Sequence, residues 1–99
     1  MQFELNYTET AYEQLKELKN DLSKKRILKD VLKALRLMES NLRHPSLNTH
    51  AFEGIKGPKG EKVFEAYVQQ DTPGAYRIFW CYGPEKRMLN IIAIISHPD

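Results

Sequence analysis

The chain has 99 residues, of which 41% are hydrophobic and 28% charged, and its formal net charge is +2. This length provides for one hydrophobic core, and the balance of apolar and charged residues excludes a disordered chain. No run reaches the roughly 18 uncharged apolar residues of a spanning helix, and the opening MQFELNYTET lacks the regions of a signal peptide. The sequence therefore predicts a single domain over residues 1–99 that is cytoplasmic and has no membrane partner. The only cysteine, Cys81, excludes an intrachain disulfide.

The first elements are a strand and a helix. The segment FELNY alternates apolar and polar side chains, which predicts a half-buried strand. Thr8 or Thr10 can cap the helix that follows, and Thr10 with Glu13 has the spacing of a capping box. Because apolar residues then recur at helical intervals, we predict a first helix over about 10–20.

A second helix follows, with Ser23 as its predicted cap and with Pro45 ending it after His44. Its core-facing stripe consists of seven apolar residues: Ile27, Leu28, Val31, Leu32, Leu35, Met38 and Leu42. Over residues 16–36 the chain carries eight basic and three acidic side chains. This excess is typical of a solvated helix face, but it would also attract phosphates or an acidic partner.

Turn-forming residues dominate 44–60, which predicts a long loop with room for one short strand. Three strand-like runs follow, KVFEAYVQ, AYRIFWCY and MLNIIAIIS, separated by the turn signals DTPG and GPEKR. The last run is apolar at nearly every position, as expected of a central strand covered on both faces. The predicted fold class is α+β: an N-terminal strand, an antiparallel helical hairpin that covers one sheet face, and a three-stranded antiparallel meander. The other sheet face is left for function.

The sequence contains no GxGxxG, Walker, HExxH, GxSxG, CxxC or zinc motif, so we predict no cofactor and no metal. The remaining candidates for chemistry are histidines, tyrosines and one strand arginine. Histidine transfers protons near neutral pH, and arginine clamps phosphate with paired hydrogen bonds. Of the histidines, His44 is interpreted as part of the helix stop.

The order of the elements and four local patterns together resemble the RelE/ParE-like toxins, in particular the RelE/YafQ-like branch of mRNA endonucleases. The patterns are the opening strand, the hairpin ending in a proline turn, GAYRIFW with its Tyr76–Arg77 pair, and the terminal IIAIISHPD. The resemblance spans nearly the whole chain. It implies the toxin of a type II toxin-antitoxin system, a metal-independent endoribonuclease that cuts mRNA at the ribosome and represses translation. It also implies a cognate antitoxin protein as partner.

The same resemblance implies site residues. Arg77 matches the strand arginine that holds the scissile phosphate, His50 in NTHAFEG resembles a loop histidine, and His97 stands where a histidine follows the last strand. The two histidines would form an acid and base pair, with either assignment open. Five further residues are predicted to contact RNA: Tyr67, Tyr76, Lys56, Lys59 and Lys62.

Two departures keep other functions open. Glu65 and Tyr67 stand where RelE has two lysines, and a negative Glu65 is expected to repel phosphate. The given sequence ends at Asp99, without the C-terminal arginine and tyrosine of RelE. The alternatives are a ParE-like toxin that inhibits DNA gyrase without nuclease activity, and a degenerate partner-binding domain with no toxicity.

Overall fold

A computed structural model describes residues 2–70 and 72–97. In chain order the elements are β1 (Glu4–Tyr7), α1 (Glu9–Asn20), a 3₁₀ turn (Leu22–Lys24), α2 (Lys25–Ser40), a second 3₁₀ turn (Pro45–Leu47), β2 (His50–Lys56), β3 (Lys62–Tyr67), β4 (Tyr76–Tyr82) and β5 (Met88–Ser96). No helix within these described ranges is both long and apolar enough to cross a membrane.

The five strands form one mixed sheet in the order β1-β5-β4-β3-β2. The meander β3-β4-β5 is antiparallel, as predicted, and β1 pairs with β5 in parallel. Because β5 has a neighbour on each side, its apolar run forms an interior strand. The Asn6 amide donates a 2.8 Å hydrogen bond to Asn90 Oδ1, which joins β1 to β5 side by side.

The strand β2 is longer than the sequence pattern indicated. It has seven residues and pairs antiparallel with β3 at the edge of the sheet, with a register shift between Phe52 and Lys56. Five of its seven residues are exposed, and they do not alternate with buried ones. The pairing with β3 therefore determines this strand more than its own side chains do.

Thr8 caps α1, since its hydroxyl oxygen accepts a 3.1 Å hydrogen bond from the Ala11 amide and its hydroxyl donates to the Ile92 carbonyl. Thr10 lies within the helix, so the predicted capping box with Glu13 is not formed.

The predicted cap at Ser23 is wrong. The helix α2 begins at Lys25 without a side-chain cap. Asp21 instead caps the short 3₁₀ turn, where its carboxylate accepts from the Ser23 amide at 2.9 Å and from the Ser23 hydroxyl at 2.6 Å. Because the Ser23 hydroxyl donates to Asp21, its side chain is directed back to the turn and not to α2.

The helices cover one face of the sheet and form the main core with it. On this face Trp80 is fully buried and stacks on Phe64, with ring centroids 4.8 Å apart. A smaller apolar cluster lies on the opposite face, where Phe52 of the edge strand packs 4.8 Å from the fully buried Phe79. The Phe52 side chain thus covers part of the second face, and a group of polar side chains lies beside this cluster.

Candidate active site

A buried carboxylate, Glu65, is the centre of the polar group on the second sheet face. Side chains alternate between faces along a strand, so Glu65 shares its face with Val63 of the smaller cluster, while Phe64 and Ala66 face the helices. The register places Glu65 between His50 on β2 and Phe79 on β4. The residue is only 2% exposed.

The three residues predicted to be catalytic converge on this carboxylate. His50 Nε2 lies 2.8 Å from Glu65 Oε1, and His97 Nε2 lies 3.2 Å from Oε2. Arg77 Nε lies 3.7 Å from the same Oε2. Oε2 accepts no hydrogen bond from the described residues, so His97 and Arg77 approach it as charge partners and not as hydrogen-bond donors. Glu65 was expected only to repel phosphate, but its charge is enclosed by one permanent and two potential cations.

His50 has an acceptor at each ring nitrogen. Its Nδ1 lies 2.6 Å from the Asn48 carbonyl oxygen, and its Nε2 faces Glu65. A carbonyl and an ionised carboxylate only accept hydrogen bonds, whereas a neutral imidazole has one N–H to donate. Each ring nitrogen of His50 therefore faces an oxygen that can only accept. The side chain remains 42% exposed, so a ligand can reach it.

Arg77 is held firmly and largely covered. Its Nη1 donates to two backbone carbonyls, those of Gln69 at 2.5 Å and Tyr76 at 3.0 Å. The Tyr67 ring lies over the guanidinium, with its centroid 3.8 Å from the central carbon, in a cation–π contact. The Arg77 side chain is 11% exposed. The guanidinium is thus positioned beside the histidines, with little of its surface exposed.

His97 follows β5 directly. Its backbone amide donates a 2.7 Å hydrogen bond to the Ala75 carbonyl, which extends the pairing of β5 with the segment before β4. Its side chain is 35% exposed and reaches back to Glu65. The two histidines therefore lie on either side of one carboxylate.

The structure brings one of the predicted RNA contacts to this site. Tyr67 packs on Arg77 and makes an edge contact with His50, at 5.7 Å between ring centroids. Tyr76 points to the helical side, where its hydroxyl accepts from Lys24 Nζ at 3.4 Å.

The three predicted lysines lie at the other end of the β2–β3 hairpin. Lys56 pairs with Lys62 across it, and Lys59 lies in the turn. Since His50 begins β2 and Lys56 ends it, about 20 Å of strand separates the lysines from the histidines.

Cys81 lies outside this group of polar side chains. Burial raises the pKa of the Cys81 thiol, and the nearby charge of Glu61 raises it further, so the group remains protonated near neutral pH. Over residues 2–70 and 72–97, no group of three or more His, Cys, Asp or Glu side chains could hold a metal ion.

No protein-family model and no curated protein sequence matches the chain. Solved structures do match over nearly its whole length. A YoeB/ParE toxin from Agrobacterium tumefaciens has 11% identity and a TM-score of 0.66, with 97% of this chain and 100% of that chain covered. The YafQ toxin in the E. coli DinJ–YafQ toxin-antitoxin complex has 13% identity and a TM-score of 0.64, covering 98% and 94%. An archaeal RelE–RelB complex from Pyrococcus horikoshii has 11% identity and a TM-score of 0.63, with 97% of this chain and 96% of that chain covered. The chain therefore has the RelE/ParE-like toxin fold.

Proposed function

We propose that this chain is the toxin of a toxin-antitoxin pair and cleaves mRNA at the ribosome with its own side chains, without a metal. The observation that supports this best is the placement of His50, His97 and Arg77 around one buried carboxylate on a partly open sheet face. Two partly exposed histidines can divide acid and base roles, and the arginine supplies fixed positive charge. Because its proposed substrate is mRNA at the ribosome, the protein is proposed to act in the cytoplasm.

In the proposed reaction His97 accepts the proton of a ribose 2′-hydroxyl as that oxygen attacks the adjacent phosphorus. The P–O5′ bond breaks, and His50 donates its Nε2 proton to the leaving 5′-oxygen. The products are a 2′,3′-cyclic phosphate and a 5′-hydroxyl end. We assign the acid role to His50 because each of its ring nitrogens faces an acceptor, the Asn48 carbonyl or Glu65, so that an N–H at either position has a partner. The leaving oxygen takes the place of Glu65 at Nε2 during this step.

Glu65 and Arg77 position these groups. Glu65 holds the His50 ring in position and is itself too deeply buried to touch RNA. Arg77 stabilises the negative charge that develops on the phosphate oxygens when the phosphate reaches the edge of its guanidinium. Each histidine contributes about 10² to 10⁴ in rate.

The test follows growth and maps mRNA 5′ ends after controlled expression of the wild type and of His50→Ala, His97→Ala and Arg77→Ala. The wild type should arrest growth with new cuts inside reading frames, and each of the three substitutions should abolish the cuts. Lys16→Ala, at an exposed position on α1, is the control and should cut as the wild type does. Arrest without cuts would refute the nuclease.

Purified protein provides the chemical test. With translating ribosomes, a message that carries a single 2′-deoxy nucleotide at the mapped site should resist cleavage there, because the attacking hydroxyl is missing. Cleavage of this message at the unchanged rate would contradict the proposed use of the 2′-oxygen.

A second candidate function is inhibition of DNA gyrase by protein contact. The enclosure of Arg77 by Glu65, two carbonyls and the Tyr67 ring favours it, since a guanidinium used in this way is less accessible to phosphate. A DNA supercoiling assay with the purified chain separates the two functions. Inhibition of supercoiling that persists in His50→Ala and His97→Ala would support the gyrase function.

The proposed antitoxin partner fits the exposed side of α2. Leu28 and Leu32 line a shallow groove there together with three exposed basic residues, Lys25, Lys29 and Arg36. An acidic amphipathic segment would bury its apolar side against the leucines and place its carboxylates among the basic groups. Two of the similar structures are toxins in complex with a partner, RelE with RelB and YafQ with DinJ. Reversing the charges with Lys29→Glu and Arg36→Glu should release such an antitoxin from the chain in pull-down experiments.

A further inference from the structure

A cavity of about 830 Å³ lies between the C-terminal end of α2, the segment 41–49 and the aromatic side chains Phe3 and Tyr82. Its size falls within the range of small-ligand pockets. The residues that line it do not include Glu65, Arg77 or either proposed catalytic histidine. It is therefore a separate site from the one described above.

Tyr82 gives the cavity an aromatic wall. The side chain is 54% exposed, although its ring contacts Trp80 at 5.0 Å, Phe64 at 5.6 Å and Phe3 at 6.3 Å between centroids. These contacts hold the ring in place while much of its surface stays accessible. A held, accessible ring is the platform on which an unpaired base stacks, and such stacking accepts any base.

Polar groups complete the lining. Asn41 and Asn48 are exposed and each offers both a donor and an acceptor, which suits the edge of a base. Thr49 also lines the cavity, and its hydroxyl oxygen is buried without a hydrogen-bond partner among the described residues. Arg43 is exposed at the same cavity and offers a charge for a phosphate.

The cavity is connected to the candidate active site through one residue. Asn48 lines the cavity, and its backbone carbonyl lies 2.6 Å from His50 Nδ1. His50 follows Thr49 directly in the chain. Asn48 and Thr49 therefore join the lining of the cavity, whose Tyr82 lies on the helical side of the sheet, to His50 on the other side.

We propose that this cavity binds one unpaired base of the single-stranded RNA whose scissile phosphodiester lies at His50. The proposal rests on the proposed function, since it names how the same substrate is held. The base stacks on Tyr82 and exchanges hydrogen bonds with Asn41 and the Thr49 hydroxyl, while Arg43 contacts the phosphate of that nucleotide.

The experiment measures binding separately from cleavage. The probe is a fluorescein-labelled 2′-O-methyl RNA hexamer, which cannot be cut because its 2′-oxygens carry no proton, and fluorescence anisotropy gives its Kd. Tyr82→Ala should weaken binding by about 5- to 100-fold, because one stacked base is lost. Tyr12→Ala is the matched control, since Tyr12 is 57% exposed on α1 and should bind within a factor of two of the wild type.

Thr49→Val tests the cavity without removing volume. It keeps the branched shape, so the protein should melt within a few degrees of the wild type, and it should bind the hexamer several-fold more weakly because the hydroxyl is gone. Trp80, the single tryptophan, should also change its fluorescence on binding, since Tyr82 touches it.

The two proposals fail in distinguishable ways. If the wild type cleaves RNA and binds the hexamer, but folded Tyr82→Ala and Thr49→Val bind it equally well, the cavity is not a base site and the nuclease function stands. If the wild type neither binds the hexamer nor cuts ribosomal messages, both proposals are overturned.

Discussion

Replacing Glu65 with glutamine removes the charge between the two histidines while keeping the shape of the side chain. The carboxylate accepts from His50 at 2.8 Å and lies 3.7 Å from Arg77 Nε. The Arg77 side chain is only 11% exposed, so in Glu65→Gln it loses its nearest counter-charge where little water can replace it. We therefore expect the variant to be less stable as well as less active.

The magnitude follows from burial. Removing one partner of a buried ion pair costs about 3–5 kcal/mol, because the other charge is left buried. The side chains of His50 and His97 are 42% and 35% exposed, so water screens their interactions with Glu65. We therefore set the contribution of these two interactions to the free energy of unfolding near zero. The glutamine carbonyl keeps one acceptor for His50. We take the lower end, about 3 kcal/mol, which for a domain of this size lowers Tm by roughly 12–24 °C.

Urea unfolding followed by the fluorescence of the buried Trp80 measures this loss. Glu53→Gln, the same change at an exposed position on β2, should stay within about 0.5 kcal/mol of the wild type. Adding Arg77→Met to Glu65→Gln should recover part of the stability, because the buried unpaired charge is removed. Equal urea midpoints for Glu65→Gln and Glu53→Gln would refute the reasoning.

Three further predictions concern stability. Thr8→Ala should lower the free energy of unfolding by about 2 kcal/mol, because it removes a helix cap and a hydrogen bond to β5, whereas Thr10→Ala should change it little; equal urea midpoints would contradict this. Gly60→Ala should cost about 1 kcal/mol because Gly60 has a φ of +83°, and an unchanged midpoint would show that the turn adapts. Burial raises the pKa of the Cys81 thiol above its ordinary 9.0 and that of the Tyr7 hydroxyl above its ordinary 10.0, so both groups hold their protons more tightly when folded. The stability that these two protonated groups contribute is complete below about pH 9 and is lost as the pH rises through the folded pKa values. Urea midpoints measured up to about pH 11 should therefore fall.

The local elements could be predicted from the sequence because their apolar side chains repeat with the period of the element itself. Alternation marked β1, the helical stripe marked α2, and three apolar runs marked the meander with β5 in its interior. The length of β2 could not be predicted, because its side chains neither alternate nor bury strongly and its pairing with β3 holds it in the sheet.

By itself the sequence determined the fold class and three candidate residues, His50, Arg77 and His97. It contained one unused signal, since a glutamate on the apolar side of KVFEAYVQ requires partners if it is buried. Only the tertiary structure decided that Glu65 is that buried group and that the three candidates are its partners. They come from the start of β2, the start of β4 and the residue after β5, and strand pairing brings these distant segments within 4 Å of one carboxylate.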